Sequence, residues 1–194
     1  MTRARCPLAA SLSLFLLAML VPFAVSAGPA VDAGAILERI DTPLDTEMPF
    51  IETRMNPLLE EPLHLSGRVT FTSGGELTKL IERPFIERVG IARDHVELER
   101  DGEITRLSLR RRPGLRNFYR TLRALLEGDA AALLEMFEAR ATADGDCWTI
   151  VLSPSNEPLR EFLERMTIAG RGSQIDRIRT VQAQDDWQEL SFSR

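Results

Sequence analysis

The sequence predicts an α+β fold in which one strongly curved antiparallel sheet wraps helices against its apolar face. Two observations predict it. Most apolar segments alternate with a period of two residues and are joined by short turn signals, and two segments in the middle of the chain switch to helical period with continuous apolar stripes. Consecutive hairpin-linked strands form an antiparallel sheet with one wetted face, so the inserted helices must bury their stripes on the other. About eleven strands are expected, about six before the central helices and about five after them. A sheet of that many strands curving around helices encloses either a filled core or a cavity, and periodicity does not distinguish the two.

The elements follow in order. Residues 31–40 (VDAGAILERI) place Val31, Ala35, Ile36 and Ile40 on one helix face, and Pro43 ends the pattern. A strand begins near Pro49 (PFIETRMN), and in residues 63–72 Leu63, Leu65, Gly67, Val69 and Phe71 alternate with His64, Ser66, Arg68 and Thr70, the pattern of a half-buried strand. Ser73-Gly74-Gly75 is a turn, and Pro84 separates the strands ELTKLIERP and FIERVGIA. HVELER and EITRLSLR flank Asp101-Gly102, a dipeptide that accepts the positive φ values of a type I′ turn.

After Pro113-Gly114, the residues Leu115, Phe118, Tyr119, Leu122, Leu125 and Leu126 share a helical face that ends at Gly128. Asp129 can cap a second helix whose stripe is Ala132, Leu133, Met136 and Phe137. Asp144-Gly145-Asp146 turns into the strand CWTIVLSP, and NEPLREFLERM reads as a short helix with Leu159, Phe162, Leu163 and Met166 inward. Three strands close the chain, MTIAG, QIDRIRTVQAQ and WQELSFS, joined by Gly170-Arg171-Gly172 and Asp185-Asp186.

The first 27 residues have the layout of a secretory signal. Arg3 and Arg5 precede the uncharged, Leu-rich stretch 8–21, whose 14 residues fall short of the roughly 20 needed to span a bilayer. Val25-Ser26-Ala27 supplies small side chains for cleavage after Ala27, and Cys6 lies before the apolar run, where it cannot carry a lipid anchor. Residues 28–194 are then expected to be a single soluble domain in the periplasm of a Gram-negative bacterium. Removing 27 of 194 residues leaves 167, with 22 basic against 29 acidic groups and a net charge of -7. That balance disfavours nucleic acid as a partner. Cys147 is the one cysteine left, and it reads as a small core hydrophobe beside Trp148 with nothing basic adjoining it.

Catalytic chemistry finds little support. His64 points away from its strand's apolar face and His95 opens a hairpin, and no Ser stands in a GxSxG elbow. HExxH, Cys/His pairing, EF-hand, P-loop and dinucleotide fingerprints are all missing from the sequence, so no metal or cofactor is expected. Asp and Glu are abundant, but no spacing marks two of them as an acid/base pair. Arg110-Arg111-Arg112 is the one compact basic run, read either as a solvated strand end or as a contact for anionic headgroups or an acidic partner. Lys79 is the sole Lys, a bias attributed to genomic composition.

The order of segments resembles the LolA family of periplasmic lipoprotein carriers over roughly residues 32–192. The resemblance rests on Phe50-Ile51-Glu52-Thr53-Arg54, similar to the family's Phe-x-Gln-x-Arg strand, on Pro62-Leu63 leading to Gly67-Arg68-Val69-Thr70-Phe71, on Pro84, and on Val96 through Asp101-Gly102. The stretches LRALLEGDAAALLEMF and Trp148-Thr149-Ile150-Val151-Leu152-Ser153-Pro154 look like those of a divergent branch. The resemblance implies an unclosed β half-barrel with its concave apolar side covered by helices. It also implies a non-enzymatic, monomeric chaperone that receives acylated lipoproteins from an inner-membrane exporter and delivers them to an outer-membrane acceptor. A divergent member could instead carry an acyl lipid or another hydrophobic export product, or serve as an enzyme accessory. The apolar cavity would be lined by Leu65, Val69, Phe71, Leu98, Leu107, Phe118, Leu122, Leu125, Leu133, Phe137, Trp148, Ile150 and Phe162. One departure stands out: where family carriers have an Arg-Pro pair that helps hold the lid, this sequence has Ser73-Gly74, and Arg83-Pro84 falls about ten residues later.

Overall fold

All strands described in the computed structural model, which covers residues 30–182 and 186–193, belong to one antiparallel sheet. They are β1 (Ala30–Val31), β2 (Glu47–Met55), β3 (Leu63–Phe71), β4 (Leu77–Arg83), β5 (Glu87–Ile91), β6 (His95–Arg100), β7 (Glu103–Ser108), β8 (Phe137–Asp144), β9 (Cys147–Pro154), β10 (Arg165–Arg171), β11 (Gln174–Val181) and β12 (Trp187–Phe192). Their spatial order is β1-β8-β9-β10-β11-β12-β2-β3-β4-β5-β6-β7. Two runs of hairpins, β2 to β7 and β8 to β12, are therefore joined side by side through the β12–β2 ladder. The outermost strands, β1 and β7, do not pair with each other, so the half-barrel is unclosed. The proposed signal at residues 1–27 and one residue of the Asp185-Asp186 turn lie outside the described residues.

The helices are α1 (Ala33–Leu37), α2 (Pro113–Leu126), α3 (Ala130–Met136) and α4 (Glu157–Arg160), with one 3-10 turn at Leu109–Arg111. The expected helix at 31–40 is shorter than its pattern because Val31 is drawn into β1 opposite Ala141. Its end tightens instead into turns, with Arg39 and Ile40 N–H donating to the carbonyls of Ile36 and Leu37. Asp129 caps α3 as expected, accepting from Ala132 N–H at 3.0 Å. Asn156 caps α4 by accepting from Leu159 N–H, but that helix makes a single turn and Met166 belongs to β10. Strand β8 is absent from the sequence reading: Phe137, assigned there to the α3 stripe, is its first residue. β7 stops at Ser108, so Arg110 and Arg111 occupy the 3-10 turn rather than a strand end.

Two backbone positions set the curvature and registration of the β2–β7 run. Asp101 and Gly102 adopt φ of 52° and 80°, the paired positive values of a type I′ hairpin. At Gly67 the β3–β4 register shifts, and a Cβ there would stand 1.9 Å from the carbonyl oxygen of Leu80. Only glycine admits so close an approach at this bulge.

The apolar interior has three parts. The largest joins α1, α2, α3 and α4 to β8–β11, with Leu37, Leu125, Leu133, Ile150, Leu152, Leu159, Leu163, Met166 and Ile168 fully buried. A second consists of sheet residues, Phe50, Leu65, Val69 and Ile81, with Phe192 shared between the two. The third packs Val96 of β6 against Leu109 and Tyr119.

Candidate functional site

The ladder registers define one continuous helix-facing surface. Ile150 pairs with Ile168, Ile168 with Ile178, Ile178 with Leu190, Leu190 with Glu52, and Glu52 with Leu65. Partners in a ladder point to the same side, so this row places six strands' inward residues in sequence. A neighbouring row runs Met48, Val69, Lys79, Val89, Leu98, and another Phe71, Leu77, Ile91, Val96, Leu107. Every strand residue expected to line a cavity between β3 and β7, namely Leu65, Val69, Phe71, Leu98 and Leu107, thus lies on this one face.

The expected lining residues are not equally placed. Leu125, Leu133, Phe137, Trp148 and Ile150 are buried in the large cluster, and Phe118, Leu122 and Phe162 pack against it half-buried. Phe118 and Phe162 meet as tilted rings 5.2 Å apart. Leu65 and Val69 belong to the second cluster, Leu107 packs on the third, and Phe71 is buried on the same face outside all three. Leu98 is half-buried near the Asp101-Gly102 hairpin, in a pocket it shares with Arg100 and Thr105.

Between the sheet and the end of α2 lies a cleft of about 290 Å³. Met48, Ile175 and Phe192 of the sheet and Leu126 of α2 supply its apolar walls, and Asp41, Thr42 and Pro43 border it. That volume falls just below the range of roughly 300–1,000 Å³ in which small molecules are bound.

The same inward face carries charges that periodicity did not reveal. Glu52 has no solvent exposure, and one of its oxygens accepts from Nε and Nη2 of Arg54 at 3.1 and 2.9 Å. Its other oxygen accepts from Nζ of Lys79, whose ammonium also stands 5.0 Å from the centre of the Phe50 ring. Burial pushes the Lys79 ammonium below its usual pKa, against the upward pull of Glu52. At β2 it is Phe50, Glu52 and Arg54 that face in, while Ile51 is 56% exposed. The only available hint was Lys79 itself, a single Lys in an Arg-rich chain.

On the other face the outcome differs from expectation at Cys147. It is exposed, because Trp148 takes the inward position at the start of β9 and alternation turns Cys147 outward. It also has a basic neighbour across the ladder: Arg171 pairs with it, and their side-chain hydrogen bond raises the Arg171 pKa. His64 is exposed and shares a 3.2 Å hydrogen bond with Thr53. His95 lies 2.7 Å from Asp94 and holds that carboxyl below its usual range. Arg110, Arg111 and Arg112 are exposed around the turn that leads into α2. Among the described residues no group of three or more His, Cys, Asp or Glu side chains could hold a metal ion, and no helix is long and apolar enough to cross a membrane.

A family model described as outer membrane lipoprotein carrier protein LolA-like matches residues 25–193. No curated protein matches the sequence significantly. Among solved structures, the chain is similar to a LolA superfamily protein from Nitrosomonas europaea, with 12% identity over 85% of this chain and 93% of that one and a TM-score of 0.43. It is also similar to a chain of the MucA/MucB complex of Pseudomonas aeruginosa, with 8% identity over 84% and 56% of the two chains and a TM-score of 0.45. For LprF from Mycobacterium bovis the values are 11% identity, 84% and 89% coverage, and a TM-score of 0.38.

Proposed function

The chain belongs to the LolA-like family of outer membrane lipoprotein carrier proteins, and from that premise we propose that it is a non-enzymatic periplasmic carrier of acyl chains. Residues 1–27 direct export and are removed, and residues 28–194 form the working domain. The cargo's hydrocarbon enters the cleft beside Leu126, Met48 and Phe192 and extends between the helix-facing sheet rows that contain Val69 and the α2 side chains Phe118 and Leu122. An acylated lipoprotein is the cargo implied by the family, received from an exporter at the inner membrane and released to an acceptor at the outer one.

The observation that carries this reading is the cleft itself: an apolar gap at the joint between α2 and the sheet, continuous with a helix-facing surface of ladder-paired apolar residues. Each methylene removed from water is worth about 0.8 kcal/mol, so an acyl chain crossing an aqueous compartment requires such a host. A full chain needs more room than the cleft of about 290 Å³ offers in this structure.

The test is direct. The mature protein, purified from cells with intact membranes and examined by native mass spectrometry, carries an acylated species, and a fluorescent fatty-acid probe binds it. Leu122→Glu and Val69→Glu lose the probe while circular dichroism reports a retained fold. A protein that brings no acylated species and binds no probe is not a carrier.

A further inference from the structure

Three cations and three anions face inward on β2, β4, β5, β6 and β7: Arg54, Lys79 and Arg100 against Glu52, Glu87 and Glu103. Glu87 stands 3.7 Å from Arg100, which leaves Glu52 to serve both Arg54 and Lys79. Glu52 is thus the single buried carboxylate that hydrogen-bonds both Arg54 and Lys79, while Glu87 adds only a longer-range pull on Lys79. Neither cation is saturated: Nη1 of Arg54 and two of the three N–H bonds of Lys79 have no protein acceptor among the described residues. The Arg54 side chain is 32% exposed, so its remaining donors are within reach of a ligand.

We infer that Arg54 and Lys79, bridged by Glu52, form the site that receives the anionic head of an acyl cargo, a carboxylate or a phosphate. This rests on the carrier reading and narrows its cargo. The position suits the role. The apolar cleft ends on Met48 and Phe192, Phe192 pairs with Phe50, and the Phe50 ring lies beneath the Lys79 ammonium. A chain seated in the cleft therefore points its head at the charge cluster. A second polar group lies along the row that begins at Arg54. Arg54 pairs with Gln188 and Gln188 with Thr180, whose hydroxyl is buried with no hydrogen-bond partner among the described residues. Two strand spacings, roughly 10 Å, separate Thr180 from Arg54, the scale of a lipid head with ester oxygens rather than of a single ion. The domain's overall charge is strongly negative, so attraction of an anion to this spot is local and not a property of the surface at large.

The experiment compares three fluorescent probes with the same hydrocarbon: a fatty acid, the corresponding alcohol and its monophosphate ester. The intact protein binds the acid, the phosphate or both at least about tenfold more tightly than the alcohol, the lower end of what a charge-assisted hydrogen bond supports. Whichever anion wins identifies the head as carboxylate or phosphate. Lys79→Met and Arg54→Gln collapse that difference to within about twofold. Should Lys79→Met fail to fold because it strands Glu52, the double variant Glu52→Gln with Lys79→Met removes both charges and takes its place. Equal binding of acid, phosphate and alcohol by the intact protein overturns the head-group site and leaves the carrier reading standing. An anion preference that survives in the variants also overturns it. Failure of all three probes to bind removes the carrier reading, and the head-group site with it.

Discussion

The phenolic hydroxyl of Tyr119 donates to the carbonyl oxygen of Gly75 at 2.5 Å, fastening the middle of α2 to the turn between β3 and β4. Burial raises the Tyr119 pKa above its ordinary value, so the hydroxyl keeps the proton it donates throughout the neutral range. Arg123, one turn further along α2, lies against the same glycine and pairs with Glu127 at 2.8 Å. The helix beside the apolar cleft is thus tied across to the opposite half of the sheet.

Tyr119→Phe keeps the ring's packing against Val96 and Leu109 but leaves the Gly75 carbonyl without its donor. The expected loss is about 1–3 kcal/mol of stability in urea denaturation. Amide exchange in α2 should accelerate more than in β9 or β10, because the tie restrains the helix rather than the sheet. Uniform acceleration across the molecule would mean that the bond contributes only to global stability.

Gly67 and Gly90 form a matched pair. Alanine at Gly67 drives its Cβ into the Leu80 backbone, whereas nothing lies within 4 Å of a Cβ at Gly90. Gly67→Ala should cost upwards of about 3 kcal/mol or prevent folding, and Gly90→Ala should stay within roughly 1 kcal/mol of the parent. Thermal melts of the two variants measure the contrast.

Lys79 makes stability depend on alkaline pH with a definite sign. Its folded-state pKa is lowered by burial below the ordinary 10.5, so between those two values the unfolded chain binds more protons than the folded one. Stability from this group therefore rises as pH climbs through that interval. Urea midpoints measured between about pH 7 and 10 should rise more steeply for the parent than for Lys79→Met, and parallel curves would contradict the assignment.

Cys147 is exposed on the folded protein, so a thiol reagent should label it fully without denaturant. Cys147→Ser should alter stability by no more than about 0.5 kcal/mol, as for an ordinary surface substitution. Labelling that requires urea would restore the reading of this residue as part of the core.

Most of the sheet was legible because its strands obey simple alternation. In β3, Leu65, Val69 and Phe71 are buried just as their spacing requires, and Asp101-Gly102 announces its hairpin. β8 was not legible: FEARATAD offers small and polar residues whose inward members, Ala139 and Ala141, carry too little apolar weight to mark a strand. The ends of α1 and α4 were misjudged for a related reason. Their apolar residues point to the core whether the backbone is helix, turn or strand, so Ile40 and Met166 are buried although neither is helical.

The candidate site was half legible. Its apolar residues follow from period and face, but PFIETRMN has apolar residues of both parities, Phe50 and Ile51, and so does not say which face of β2 is inward. Only the ladder, which pairs Glu52 with Leu65 and Leu190, shows that Phe50, Glu52 and Arg54 share the inward face. The strand neighbours, which are remote in sequence, decide the orientation, and a single-chain pattern contains no record of them.

A half-barrel that stops short of closure has two seams at which its hydrogen-bonding ladder could continue into another molecule. At one, β1 contributes Ala30 and Val31 among the described residues. At the other, β7 presents its full length, with Ile104 61% exposed, and its defence is charge: Glu103 and Arg106, the latter paired with Glu97 at 2.6 Å. The resistance of concentrated solutions to strand-by-strand growth is therefore set at one margin of the molecule by a few side chains, independently of how well the interior is packed.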